Sequence, residues 1–458
     1  MLFKYFKELL KDKALMKQCI VLAIPIMFQN LVVAAVNLVD NLMVGTLGDN
    51  AISAVASANR YYTIIFFVLN SIVAACVIFM AQFNGANNIK KMKESYRLSL
   101  IFSYSILLVV FFVVLLLPTQ LISFLISDIE IIKLGSTYIR LSAFSYLPLG
   151  ISITISGAMR SIGDSKTPMF ISIISIFVNA FLDYALILGK FGMPKLGVAG
   201  AAIATIIARI VEAILLIKSV KKGEYIFDTD IKDLFLFDKK LAKEIMIKAI
   251  PLVINELLFQ LGMAMQLKAI SSRGTLPNTA YSIAATVSDI FFVLFGGMAT
   301  ATTVLVGTPL GANKLEEGRD NGYKLIVFSV ILAVFFGVGM FICQLIVPYI
   351  YPNISSDALS MSQEFLKVMA CLFWIYMFDC QCYFTLRAGG DTKATLFMDS
   401  GFMWCANLPA LFILAYFTNI PTIVVYACGQ CTDIIKAFFA FYMVKKENWV
   451  KNLAIKSE

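Results

Sequence analysis

Four side chains in two apolar stretches have the types and spacing to hold a small cation. Asp40 lies within VVAAVNLVDNLMVGTLG, from Val32 to Gly48, with Asn37 three residues before it; Asn179 and Asp183 are four apart in VNAFLDYALI. Spacings of three and four put each pair on one helix face. A carboxylate in hydrocarbon costs about 2.5–3.5 kcal/mol on insertion scales, so a membrane chain that keeps one there marks a functional site. Carboxylate and amide oxygens suit a proton or Na⁺ equally. The chain has no His, the usual carrier of protons near neutrality. Proton traffic must therefore use carboxylates or Tyr.

A second group follows later in the chain. Glu256, beside Asn255, is central in PLVINELLFQ, with no Lys or Arg within seven residues on either side; Asp379 stands in FWIYMFDCQCYFTLRAGGD. Asp289, Asp399 and the Arg209–Glu212 pair are lesser candidates, the last two being spaced to form an ion pair. None of this resembles an enzyme: the chain has no phosphate-binding loop, no HExxH and no nucleophile elbow. Without a nucleotide site ATP is not the direct power source, and no cofactor is expected.

These residues need apolar helices to hold them. Of 458 residues, 60% are hydrophobic and 15% charged, and the mean hydropathy is +0.84; a soluble chain carries about 25% charged residues. Runs such as SILLVVFFVVLLL (Ser105 to Leu117) and IVFSVILAVFFGVGMFICQLIV (Ile326 to Val347) belong to stretches of membrane-spanning length. The expected fold is an all-α polytopic membrane protein. Twelve spans fall near 18–44, 54–80, 97–117, 137–157, 168–189, 198–219, 245–269, 281–306, 324–350, 363–385, 395–417 and 421–444, with ends uncertain by several residues. Continuous apolar character argues against a barrel, whose strands alternate.

Lys and Arg cluster on one side. Lys4, Lys7, Lys11, Lys13 and Lys17 precede the first span, Lys90, Lys91, Lys93 and Arg97 follow the second, and Lys445, Lys446, Lys451 and Lys456 close the chain. The positive-inside rule then places both termini in the cytoplasm of a bacterial-type inner membrane. The net charge of +9 reads as topology, not as a nucleic-acid surface. On this topology spans one and five both enter from the inside, so Asp40 and Asp183 share a depth in the outer half. MLFKYFKELLKDKALMK reads as an amphipathic helix on the inner membrane face and not as a signal peptide. The nine Cys have no metal-ligand spacing.

The chain is written twice. AIPIMFQN and AIPLVINE pair Pro25 with Pro251 at an offset of 226, and Gly85-Ala86-Asn87 pairs with Gly311-Ala312-Asn313 at the same offset. GAMRSIGDSKTPMF and FTLRAGGDTKATLF pair Arg160 with Arg387, Asp164 with Asp391 and Lys166 with Lys393 at 227. Two pseudo-symmetric six-helix halves of the same orientation, around a central cleft, are the expected architecture of a secondary transporter. The expected division is an N-terminal segment 1–17, a lobe 18–219, a linker 220–243, a second lobe 244–444 and a tail 445–458. Asp164, Lys166, Asp391 and Lys393 are expected to cross-brace the equivalent cytoplasmic loops.

The proline in AIPIMFQN, the stretch VNLVDNLMVGTLGDNAISAV, FNGAN, RSIGDSKTP, VNAFLDYALI and LGVAGAAIAT together resemble the multidrug and toxic compound extrusion (MATE) transporters, over nearly the whole chain. The resemblance implies export of amphiphilic, often cationic organic compounds, driven by entry of H⁺ or Na⁺ through alternating access. In one branch of that family the span-one aspartate and the Asn-x-x-x-Asp of span five form the cation site of the first lobe, which implies that role for Asp40, Asn179 and Asp183. In another branch the coupling acid is a glutamate in span seven, matched by Glu256. That branch also has an aspartate eleven residues before the motif arginine. Here Tyr376 holds that position and Asp379 lies eight before Arg387, a displacement of about one turn. The lipid-linked oligosaccharide flippases of the same superfamily are the alternative, disfavoured by twelve spans in place of fourteen and by the lack of cationic lines through the spans. Pro25 offers a bend in span one. Twenty Met and 38 Phe suit an adaptable substrate surface. The expected partners are small amphiphilic molecules, H⁺ or Na⁺ and the bilayer, with no nucleic acid, and the chain is expected to work as a monomer.

Overall fold

The structure, a computed structural model, describes residues 2–351 and 354–456; residues 1, 457 and 458 of the expected terminal segments lie outside them. The helices are α1 (Leu2–Lys11), α2 (Lys13–Gly45), α3 (Asp49–Gly85), α4 (Ile89–Leu116), α5 (Pro118–Leu125), α6 (Ile129–Ser161), α7 (Lys166–Leu188), α8 (Val198–Lys222), α9 (Lys239–Ser271), α10 (Thr275–Gly311), α11 (Leu315–Cys343), α12 (Val347–Ile350), α13 (Ser356–Ala388), α14 (Thr392–Leu396), α15 (Leu408–Phe417), α16 (Thr422–Lys445) and α17 (Leu453–Lys456). Between α14 and α15 two π-helical segments, Phe397–Gly401 and Met403–Asn407, complete one continuous span. Among the described residues twelve helices are long and apolar enough to cross a membrane, and no strand occurs.

The helices overshoot the apolar runs that mark them. α3 has 37 residues, about 55 Å at 1.5 Å per residue, against a hydrocarbon core of about 30 Å. Its polar ends continue the helix beyond the membrane until the GAN turn stops it. The repeat is visible in the boundaries themselves: α2 and α9, and α3 and α10, begin and end 226 residues apart, while α6 and α13 are related by 227. The turns repeat too. Asn87 and Asn313 both adopt left-handed backbone (φ 54° and 61°), and so do Gly163 and Gly390 (φ 92° and 76°) at the ends of α6 and α13.

Two compact units result. One comprises the chain up to Met27, Gly85–Asn87 and everything from Ile247; the other comprises Phe28–Asn84 and Asn88–Met246. The boundary thus runs inside α2, two residues beyond Pro25, and inside α9, shortly before Pro251. In the first unit a core of Leu294, Met298, Tyr323, Phe365, Phe373 and Trp449 joins α10, α11 and α13 to the tail. In the other, Leu69, Leu107, Ile139, Tyr146 and Ala202 join α3, α4, α6 and α8.

The terminal segments depart from expectation in an instructive way. The N-terminal helix ends at Lys11, and residues 13–17 belong to α2. Asp12 breaks the run: its carboxylate accepts from the Leu15 backbone and from Lys324 Nζ at 2.8 Å. One face of α1 lies on the protein, with Tyr5 stacked on Tyr323 at 4.9 Å and donating to Asp320 at 3.1 Å; the face carrying Phe3, Phe6 and Leu10 is exposed.

The linker and the tail are anchored, and by equivalent devices. In the linker Phe227 is fully buried against Tyr96, with ring centroids 5.1 Å apart. In the tail Trp449 is fully buried over Gly322, the residue equivalent to Tyr96 at the offset of 226. A small ring over Tyr and a large ring over Gly fill comparable volumes. The loop aspartates, expected to cross-brace, mainly cap helices. Asp164 accepts from Thr167 N and Asp391 from Ala394 N; Asp164 adds a brace to the linker through the Tyr225 hydroxyl at 2.5 Å, while Lys166 and Lys393 are exposed.

Candidate functional site

In the unit built on α3 to α8, α2 and α7 bring two carboxylates together. Asp40 is partly buried and Asp183 is 3% exposed, and their side chains interact directly. One oxygen of each is buried with no hydrogen-bond partner among the described residues, and the same holds for Asn179 Nδ2, one turn before Asp183. Asn37 is not part of this arrangement: it is exposed. Pro25 is buried in the interior of α2.

Sequence reasoning missed the third wall. Tyr138 on α6 is within electrostatic range of Asp40 and Asp183, and its hydroxyl donates to Asn59 Oδ1 at 3.4 Å. The Ser142 hydroxyl has no partner among the described residues. The signal available was the Tyr138–Ser142 spacing of four in STYIRLSAFS, easily read as ordinary helix packing. Chemically, two ionised carboxylates in contact repel each other in a poorly hydrated setting. One proton or one hard monovalent cation between them removes that repulsion and fills the vacant lone pairs. Oxygen donors from Asp40 and Asp183 fit that role, while the unpaired Asn179 Nδ2 is a hydrogen-bond donor that can hold a carboxylate in place.

On α8, Arg209 Nη1 holds Glu212 at 2.8 Å, the pair that the spacing suggests, and Nη2 donates to the Tyr62 hydroxyl at 2.9 Å.

The unit containing α9 to α16 groups its acids around Asp399. Asn255, 2% exposed, donates to Asp399 Oδ2 at 3.1 Å, and its Oδ1 accepts from both the Ser400 backbone N–H (3.2 Å) and hydroxyl (2.6 Å). That bond diverts a main-chain donor from the helical ladder, a recognised cause of local π-helix. It accounts for the irregular turn Phe397–Gly401, the kind of turn that recurs at functional sites. Lys436 on α16 donates to the other oxygen of Asp399 at 2.8 Å.

Glu256 and Asp379 do not meet. Neighbouring helical residues point about 100° apart, so Asn255 enters the core while Glu256 stays partly buried, accepting from Gln260 at 3.1 Å within reach of Arg387 and Asp399. Asp379, 2% exposed, has neither oxygen paired among the described residues. It feels Lys436, Asp433 and Asp399. Sequence reading ranked Asp399 low and passed over Asp433 and Lys436, although a Lys and an Asp three apart in an apolar run were visible.

The MatE family model matches residues 25–185 and 251–413, one match for each half. Curated relatives include the probable multidrug resistance protein NorM of Thermotoga maritima, 26% identical over 95% of this chain and 93% of the relative. Its namesake from Halalkalibacterium halodurans is 26% identical over 90% and 89%. A solved structure described as MATE in complex with MaL6 superposes with a TM-score of 0.87 at 18% identity, covering 94% of this chain and 96% of that one. Matched across both repeats and most of its length, the chain belongs to the MatE family, the multidrug and toxic compound extrusion transporters that its motifs resemble.

Proposed function

We propose that this membrane transporter is a multidrug efflux antiporter of a bacterial-type inner membrane, with both termini cytoplasmic. It exports amphiphilic, often cationic organic compounds and resets by entry of H⁺ or Na⁺ through alternating access. The names of the NorM relatives support the substrate class. The observation that carries the coupling is the Asp40–Asp183 contact, with a vacant buried oxygen on each side. Substrates and coupling ions are cargo, and the chain's own residues act on them by exchanging charge.

On this reading an ion entering from outside settles between Asp40 and Asp183, with Asn179 and Tyr138 orienting the acids. Removing one net charge lets α2 and α7 repack, and α2 can bend near Pro25, where the proline leaves a carbonyl without its helical donor. Release of the ion inside restores the repulsion. The energetics ask for two ions, or one ion with a steep gradient: exporting a monovalent cation up a hundredfold gradient costs about 2.8 kcal/mol, plus about 2.3 per 100 mV of inside-negative potential. A single incoming ion returns about 2.3 kcal/mol per 100 mV before its own gradient is added. Glu256 and Asp379, with Asn255 holding Asp399, are the acids proposed for the other unit's share.

The experiment is dye efflux from sealed vesicles holding the purified chain, with a pH gradient and a Na⁺ gradient imposed separately. Export of ethidium under one of them supports the reading. Export under neither gradient, or movement of a lipid-linked sugar without dye export, overturns it.

A further inference from the structure

The segments that lead into the two halves are tied down by equivalent residues. Asp12, just before α2, accepts from Lys324 Nζ on α11 at 2.8 Å; Asp238, just before α9 at the offset of 226, accepts from Lys91 Nζ on α4 at 2.9 Å. The acids that receive these segments repeat as well. Asp320 on α11 accepts from the Tyr5 hydroxyl at 3.1 Å, and Glu94 on α4, its equivalent, accepts from the Asp238 backbone at 3.3 Å. Each segment is thus held along one side by its own unit, which fixes what its other side presents.

That other side is apolar and basic in both. On α1 it carries Phe3, Phe6 and Leu10; in the linker it carries Phe235 and Leu236. Leu10 and Leu236 occupy the same repeat position and are 55% and 61% exposed. Helical steps of about 100° put Lys7 and Lys11 along the edge of the α1 stripe, and the Lys7 ammonium lies 4.8 Å from the centre of the Phe3 ring. Lys239 and Lys240, both exposed, follow the apolar pair of the linker. The nearby acids are already matched: Glu8 with Lys4, Asp12 with Lys324, Asp233 with Arg97 and Asp238 with Lys91. Lys7, Lys11, Lys239 and Lys240 form no ion pair among the described residues, so each segment shows surplus positive charge beside exposed apolar side chains.

Apolar groups that enter the acyl boundary, flanked by ammonium groups at phosphate level, make an interfacial membrane contact. The expected spans start at 18 and 245, so each follows its aspartate by roughly 10 Å of helix, which leaves both segments near the headgroups. We propose that α1 and the linker around Phe235 are a repeated pair of docking surfaces for anionic phospholipid headgroups. Lys7 and Lys11 meet the phosphates on the first, Lys239 and Lys240 on the second. The bilayer surface thereby holds the entries of α2 and α9 without touching the acids assigned to ions. The inference goes beyond the export reading and needs only the chain's place in a membrane.

The test is hydrogen exchange of the full chain in nanodiscs holding one copy, made of phosphatidylcholine or of an equal mixture with phosphatidylglycerol. Amides of residues 3–10 and 234–240 should exchange about tenfold more slowly in the anionic discs at low salt. The difference should vanish in 1 M salt, where charges are screened within about 3 Å. Lys7→Gln with Lys11→Gln should remove the lipid effect from α1 alone, and Lys239→Gln with Lys240→Gln from the linker alone. Equal exchange in the two kinds of disc overturns the proposal, and so does a lipid effect that survives in these variants. Protection found only in discs holding two copies would make a second copy the occupant, and the lipid assignment would fall. If a glutamine pair lowers the thermal midpoint, the arginine pair at the same positions decides: it must keep the lipid effect, and losing it would reduce the lysines to a structural role.

Discussion

Asp40 on α2 and Asp183 on α7 turn their carboxyl groups toward each other, and each keeps one buried oxygen without a partner among the described residues. Such a pair acts as one titrating unit, not as two independent acids. Asp183→Asn should therefore reduce ion-driven export at least tenfold, and Asp40→Asn likewise. The double variant should be no worse than the poorer single one, since members of a unit are strongly non-additive. Initial efflux rates from the four chains check this; multiplicative losses would mean two separate sites.

Tyr138 tests whether the third wall matters. Tyr138→Phe keeps the ring, which is 8% exposed, and removes a hydroxyl that donates to Asn59 within electrostatic range of the pair. The loss of one hydrogen bond, about 1 kcal/mol, predicts a roughly fivefold higher concentration of the driving ion at half-maximal export. Maximal rate and thermal midpoint should change little. An unchanged ion dependence would reduce Tyr138 to packing.

The tail anchor makes a stability prediction. Trp449→Ala empties a fully buried site over Gly322 and should cost about 3–5 kcal/mol. Gly322→Ala drives a methyl to within 2.6 Å of the indole, an overpacking that should cost about 1–3 kcal/mol. Combining Gly322→Ala with Trp449→Phe should recover part of that loss in denaturant unfolding.

Most of the architecture was legible, because hydrocarbon dictates it. The apolar runs gave twelve spans, the offsets of 226 and 227 gave two halves, and Asp40 and Asp183 stood out as charges in apolar sequence. What stayed hidden depended on direction and depth. Tyr138 looked like any helix tyrosine, and only its place in the fold, beside Asn59 and within electrostatic range of Asp40 and Asp183, sets it apart. Asp379 was judged by its distance from Arg387, yet the side chains that face it, Asp433 and Lys436, come from α16. The terminal helix looked purely membrane-bound because its period left Tyr5 and Leu9 indistinguishable from a lipid face. The linker's anchor is a single residue, Phe227, which its charged sequence did not single out.

The linker also has a pH signature. Asp238 accepts from Lys91 Nζ at 2.9 Å and from the Lys240 backbone at 2.8 Å, and these bonds, the lysine's first, hold its carboxyl below the usual range. A depressed carboxyl stabilises the fold above its unfolded value, about 3.9, and that contribution disappears as pH falls through the folded value. Protease protection of residues 223–238 should thus be level from pH 8 to about 5 and decline below about 4. Lys91→Met should weaken protection at neutral pH and flatten the decline.

The most direct measurement of the central claim compares wild type with Asp40→Asn in sealed vesicles, following ethidium export while a pH or Na⁺ gradient is imposed. Asn is a neutral near-isostere, so Asp40→Asn should insert, fold and keep its thermal midpoint within a few degrees. The account predicts that it exports no faster with a gradient than without one, whereas wild type accelerates. Export by Asp40→Asn with wild-type dependence on the imposed gradient would contradict the account and leave Asp40 a solvated residue near the helix end.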